Sequence, residues 1–121
     1  MSIEQVSGLN LHFAAGEGPT LASEQDALDL LGETYGMDAH MIVVPVNRFS
    51  PEFFDLSSRQ AGHFFQKMQN YRVRLVILGD VAAPLARSKA LRDFVAETNR
   101  AGHHLFVPDR AALEARLAQK T

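Results

Sequence analysis

The chain has 121 residues, a formal net charge of −2, 46% hydrophobic and 21% charged residues, and no cysteine. That length suits one domain, 1–121, able to bury roughly two-thirds of its unfolded surface. The composition excludes disulfides, thiolate zinc centres and a cysteine nucleophile, and lysines and arginines scattered without a basic block argue against nucleic acid or an anionic membrane as partner.

The opening MSIEQVSGLNLHF lacks a charged segment followed by an apolar one, so no signal peptide is expected. No apolar run approaches the ~20 residues needed to span a bilayer. The expected location is the cytoplasm.

Ile3 to Val6 and Leu9 to Ala14 read as two strands around Ser7-Gly8, a hairpin turn in which Gly8 takes a positive φ. Gly16-Glu17-Gly18-Pro19 reads as a connecting loop, since no GxxxxGK[ST] surrounds its glycines. A first helix starts at Ser23, with Asp26 completing a weak form of the capping box. Its apolar face carries Ala27, Leu31 and Tyr35, widened by Leu28 and Leu30, and Gly36 is its expected stop. Met41 to Val46 is a β-branched strand that ends or bulges at Pro45, because proline cannot donate to a ladder.

After a loop with Ser50-Pro51, a second helix is expected from about Ser57 to Asn70. Ala61, Phe64, Phe65 and Met68 give it one buried stripe. Ser57-Ser58-Arg59-Gln60 matches an S-x-x-Q capping box at its start, and Asn70 is expected to leave it through the left-handed region. Arg72 to Leu78 has the continuous apolar character of a central strand. A third helix begins at Pro84 or at Ser88, turns Leu91, Phe94, Val95 and Thr98 inward, and stops at Gly102. His103 to Val107 is a last strand, on which His103 and His104 would face opposite sides. Pro108-Asp109 opens a final helix with Leu113 and Leu117. The order ββαβαβαβα predicts a single α/β domain with a mixed, mostly parallel sheet packed by helices.

In such a sheet, ligands collect beyond the strand carboxyl ends. Asn47, Arg48, Gly79 and Asp80 arrive there and form a candidate ligand site. Asp80, directly after Gly79 on a central strand, is its natural acid/base or hydrogen-bond acceptor. The simpler account makes Gly79 a turn and Asp80 a cap for loop amides. The five histidines show no HExxH or HxH spacing, so no metal and no cofactor is expected. Neither Ser57 nor Ser58 has the flanking glycines of a nucleophile elbow, and no catalytic residue is assigned. Phe49, Phe53, Phe54, Phe64 and Phe65 read as core.

The stretches LASEQDALDLLGE, FFDLSSRQAGHFFQKMQNYRVRLVILGD and ALRDFVAETNRAGHHLFVPD resemble an uncharacterised bacterial family, domain of unknown function 4180. That likeness spans nearly the whole chain and implies no activity. A looser resemblance is to the STAS domain, the fold of anti-sigma-factor antagonists, which has the same element order. Its signature is an aspartate and a serine pair before a glycine at the second helix. Asp55, Ser57 and Ser58 are similar to that motif, although Leu56 intervenes and Arg59-Gln60 stand in place of the glycine, which follows only at Gly62. In those antagonists a partner kinase phosphorylates one serine and breaks a protein complex. The resemblance thus implies a phospho-switch or partner site at Asp55, Ser57 and Ser58.

Two functional readings stand. One is a non-enzymatic regulatory or protein-interaction module of STAS-like type, with a protein partner or a homodimer. The other is a small-molecule-binding protein or enzyme with its site around Asp80.

Overall fold

The computed structural model describes residues 3–119; the remainder of the expected 1–121 span lies outside the described residues. Ser7 and Gly8 both adopt positive φ (52° and 83°), the primed turn whose twist matches two flanking strands. They join β1 (Ile3–Val6) to β2 (Leu9–Phe13) in antiparallel register, Val6 opposite Leu9. β3 (Met41–Pro45), β4 (Arg74–Leu78) and β5 (Leu105–Val107) then add in parallel, giving a five-stranded sheet in the order β1-β2-β3-β4-β5. The strand MIVVP ends at Pro45, paired with Leu78.

Alternate residues of the strands face opposite layers, as the pleat requires. Ile42, Val44, Leu75, Ile77 and Phe106 meet helices α1 (Glu24–Gly32), α2 (Gln60–Asn70) and α4 (Lys89–Ala101). Met41, Val43, Val76, Leu105 and Val107 meet α5 (Arg110–Ala118) through Leu113, Ala112 and Leu117. The predicted stripe of Ala61, Phe64, Phe65 and Met68 is buried on α2. Phe64 packs edge-to-face on Phe49 and Phe53, with centroids 5.5 and 5.7 Å away, and those two rings lie tilted at 4.4 Å, the core role expected of these rings. Such pairs add about 0.5–1.5 kcal/mol each beyond their burial.

Helix caps follow the sequence at several points. Ser23 Oγ accepts from the Asp26 amide (3.1 Å) while Asp26 accepts from the amides of Ser23 (3.0 Å) and Ala22 (2.8 Å), a complete capping box. Asp109 Oδ1 accepts from the Ala112 amide at 2.8 Å, and Gly102 ends α4 with φ 81°.

Elsewhere the backbone departs from the expectation. α1 ends at Gly32 and further turns carry the chain on, so Tyr35 is exposed rather than packed on the apolar face. The third helix divides: α3 (Ala82–Arg87) carries Pro84 in its first turn, and α4 has its own cap, with Ser88 Oγ accepting from Leu91 at 3.1 Å. Asn70 stays helical and Arg72 takes the left-handed conformation instead (φ 61°). The Arg72 amide donates to the Gln69 carbonyl and the Val73 amide to that of Met68, a Schellman motif in which Val73 returns to the core. This is why β4 starts at Arg74, two residues later than the apolar run. β5 starts at Leu105, so His103 and His104 precede it, and their rings lie 4.5 Å apart rather than on opposite faces.

The outer edge of β5 is closed by a side chain. Asn99 of α4 accepts from the Phe106 amide through Oδ1 (2.8 Å) and donates to the Phe106 carbonyl through Nδ2 (3.1 Å). One amide replaces the missing neighbouring strand.

Candidate functional site

The segment Ser50–Arg59 crosses from β3 to α2 through two 3₁₀ turns, Pro51–Phe54 and Leu56–Ser58. Proline in the first helical position and serine before it start the first turn, with Ser50 Oγ accepting from the Phe53 amide at 3.2 Å. The same buried hydroxyl donates to Gln60 Oε1 at 2.8 Å. Beneath it, Phe53 is buried and Phe54 is partly so, both packed in the aromatic group.

Asp55 begins the second turn. Its Oδ1 accepts from the Ser57 amide (3.0 Å) and from the Ser57 hydroxyl (2.6 Å). Those two bonds, the hydroxyl's foremost, hold the Asp55 carboxyl below the usual carboxylate range. Ser58 Oγ donates to the Glu52 carbonyl (2.7 Å), with that of Asp55 also in reach (2.8 Å), and accepts from the Gln60 amide (3.2 Å). α2 therefore begins at Gln60, with Arg59 left-handed at its cap (φ 65°). The expected Ser57–Gln60 capping box is absent: Ser57 belongs to the Asp55 turn, and Gln60 is engaged by Ser50. Asp55, Ser57 and Ser58 come together on one exposed turn. Beside it lies a groove of about 190 Å³ walled by Pro51, Phe54, Pro84 and Arg87.

The second candidate site divides in two. Arg48 is buried and donates from Nη1 to the Ala15 carbonyl (2.8 Å) and from Nη2 and Nε to that of Pro19 (3.1 and 3.2 Å). Asn47 Nδ2 donates to the Gly16 carbonyl at 2.8 Å. Together they clasp the Gly16–Pro19 loop. Gly18 has φ 151°, and a Cβ there would sit 3.0 Å from Arg48 Cζ.

Gly79 and Asp80 instead border a cleft of about 280 Å³ between the ends of β4 and β5 and α3. Leu85, Val95, Phe106 and Pro108 make its wall mainly apolar. Asp80 is exposed and its Oδ1 accepts from the Ala82 amide at 2.8 Å, so it starts α3 as a loop cap would. Gly79 is confined by Val46, whose Cβ lies 3.0 Å from where a Gly79 Cβ would be. Asn47 and Arg48 are not among the residues lining this cleft.

Two histidines occupy interior positions that the spacing of residues did not mark. His12 is fully buried under α1, with Nε2 3.2 Å from Glu33 Oε1. His104 accepts from the Leu75 amide through Nδ1 at 3.0 Å, which places its proton on Nε2. Nε2 is buried without a hydrogen-bond partner among the described residues, while the ring stacks on Phe65 at 4.9 Å. Among the described residues no three His, Cys, Asp or Glu gather in a way that could hold a metal ion.

The fold and its two surface features define a small α/β domain with a mixed five-stranded sheet, an exposed polar turn before α2 and an apolar cleft at the carboxyl ends of β4 and β5. The particular family follows from the sequence: residues 7–117 match the model described as domain of unknown function (DUF4180), and the chain belongs to that family. No curated protein and no solved structure matches it. Its function is not established. No helix of the described residues is long and apolar enough to cross a membrane.

Proposed function

We propose that the protein is a non-enzymatic regulatory or protein-interaction module of the bacterial cytoplasm, and that its partner reads the turn holding Asp55, Ser57 and Ser58. The observation that carries this reading is the combination of exposure and rigidity in that turn. All three polar residues are exposed, while their backbone is fixed from below by Phe53 and the Ser50–Gln60 bond. A surface that is already ordered loses little conformational entropy when a partner docks. The adjoining groove adds apolar contact at Phe54 and Pro84 and a cation at Arg87.

The resemblance to the STAS motif supports a switch at the same place. Phosphorylation of Ser57 would replace its 2.6 Å bond to Asp55 with close repulsion between phosphate and carboxylate. The turn would rearrange, and the surface offered to the partner would change. The test is co-purification from the native host with wild-type protein and with Ser57→Asp and Asp55→Lys variants. The expected result is a partner retained by wild type and lost from both variants. An identical partner set from all three would overturn the reading.

A second reading rests on the apolar cleft beside Asp80. It assigns the protein a small, largely apolar ligand with one polar group directed at the Asp80 carboxylate. A thermal-shift screen against metabolites separates the two readings. A hit lost in Asp80→Ala but kept in Ser57→Ala supports the cleft.

A further inference from the structure

At the amino-terminal end of β4, remote in sequence from the Asp55 turn, three arginines surround a cavity of about 470 Å³. Arg74 opens β4, Arg100 lies in the last turn of α4 and Arg116 comes from α5; Leu9, Leu117 and Gln119 add to the wall. Among the described residues no carboxylate lines this cavity.

Two of the guanidinium groups are held in place by backbone. Arg74 donates from Nε to the His103 carbonyl (2.9 Å) and from Nη2 to that of Gly102 (2.7 Å). Arg116 donates from Nη2 to the Asn99 carbonyl at 2.6 Å. Arg116 thus reaches the last turn of α4 and Arg74 the two residues that follow it, at the helix end where the dipole favours positive charge. That role accounts for one cation. It does not neutralise two, and neither group has a carboxylate partner among the described residues. Burial, and secondarily the charge of Arg116, disfavours the charged form of Arg74. Nη1 of Arg74 and Nη1 of Arg116 make no hydrogen bond within the described residues and remain available. The third cation, Arg100, is exposed and pairs with Glu97.

We infer that this cavity is a binding site for a small organic anion, a phosphate monoester or a carboxylate. Its charged group lies between Arg74 and Arg116, and its apolar part rests on Leu9 and Leu117. Planar guanidinium groups suit such anions because they donate two hydrogen bonds in parallel. Fixing both side chains in advance on backbone carbonyls at and just after the end of α4 lowers the ordering cost of the complex. Binding also relieves the repulsion between the two arginines.

The test is a titration of the full chain with inorganic phosphate, and separately with phenyl phosphate, at constant ionic strength, followed by amide chemical shifts. The expected result is saturable shifts at Gly102 and Leu117, with phenyl phosphate tighter than phosphate. Arg116→Gln should weaken binding about ten-fold, the loss of one charge-assisted contact. Gln119→Glu leaves every carbonyl contact of the arginines in place and adds a negative charge at the rim; it should weaken binding even if Arg116→Gln does not fold. Shifts that fail to saturate, or an affinity unchanged in Gln119→Glu, would overturn the proposal.

Discussion

Ser50 and Gln60 are joined by a 2.8 Å side-chain hydrogen bond that ties the loop after β3 to the first residue of α2. The link settles which serine starts the helix region. Ser50 is buried and serves two partners, the Phe53 amide and Gln60. Ser57 is exposed and bonds only within its own turn.

The two serines should therefore differ in mutation. Ser50→Ala removes a cap and strands the Gln60 oxygen, and should cost about 1–3 kcal/mol. Ser57→Ala removes an exposed contact and should stay within about 0.5 kcal/mol of wild type. Urea unfolding of both variants checks the order. A larger loss in Ser57→Ala would mean that the exposed turn, not the buried serine, organises this region.

The Asp55 carboxyl gives a second, local measurement. The Ser57 hydroxyl and amide both stabilise its charged form, so its folded pKa lies below the unfolded one. A depressed acid contributes stability above its unfolded pKa and loses it as pH falls through the folded value. NMR titration should find Asp55 below an ordinary aspartate. In Ser57→Ala the value should rise toward normal while the other carboxyls stay put. An unchanged Asp55 titration would show that the 2.6 Å contact is not maintained in solution.

Arg48 and Gly18 form a buried pair of constraints. Arg48→Met strips the donors from the Ala15 and Pro19 carbonyls and should cost about 2–6 kcal/mol, at about 1–3 for each of the two carbonyls left unpaired. Arg48→Lys should recover only part of this, since a single ammonium cannot span both carbonyls as the fork does. Gly18→Ala should cost about 1–3 kcal/mol, because φ 151° strains any side chain and the new Cβ meets the guanidinium. Proteolysis within Gly16–Pro19 should accelerate in all three variants. Wild-type resistance in Arg48→Met would show that the loop holds itself.

These contacts mark the limit of what residue order conveys. Hairpin, strands and the α2 stripe were legible because they follow from period and turn chemistry: Ser7-Gly8, MIVVP, and Ala61 through Met68. The start of α2 was misread because S-x-x-Q fits Ser57 and Gln60 locally, while the competing partner of Gln60, Ser50, lies ten residues back across two turns. An Asp-x-Ser Asx turn was available as a signal, since aspartate readily accepts from the amide two residues on. For Arg48 and Asn99 no local signal exists. Arg48 reaches a loop 33 residues earlier, and Asn99 finds the edge of β5 only because α4 packs beside it. Arg48 was assigned to a ligand site on its position after β3. That position is right, but its direction depends on the fold of residues 15–19.

His104 supplies the last prediction. Burial, with smaller contributions from neighbouring charge, pushes its pKa down to about 4. The Leu75 amide donating to Nδ1 is consistent with a neutral ring, since a protonated Nδ1 could not accept. In the unfolded chain the imidazole titrates near its ordinary value of about 6.5. Between roughly pH 6.5 and 4 the unfolded state therefore binds more protons than the native one, by up to one. Stability from this group is complete above the unfolded pKa and declines as pH falls toward about 4, where the native ring protonates and the Leu75 bond breaks. Thermal unfolding should show a falling melting temperature across that interval. His104→Gln keeps an acceptor for Leu75 and cannot titrate, so its profile should be flatter there, whatever its stability at neutral pH. Parallel profiles for the two proteins would place the His104 pKa near that of a free imidazole and assign the acid sensitivity to other groups.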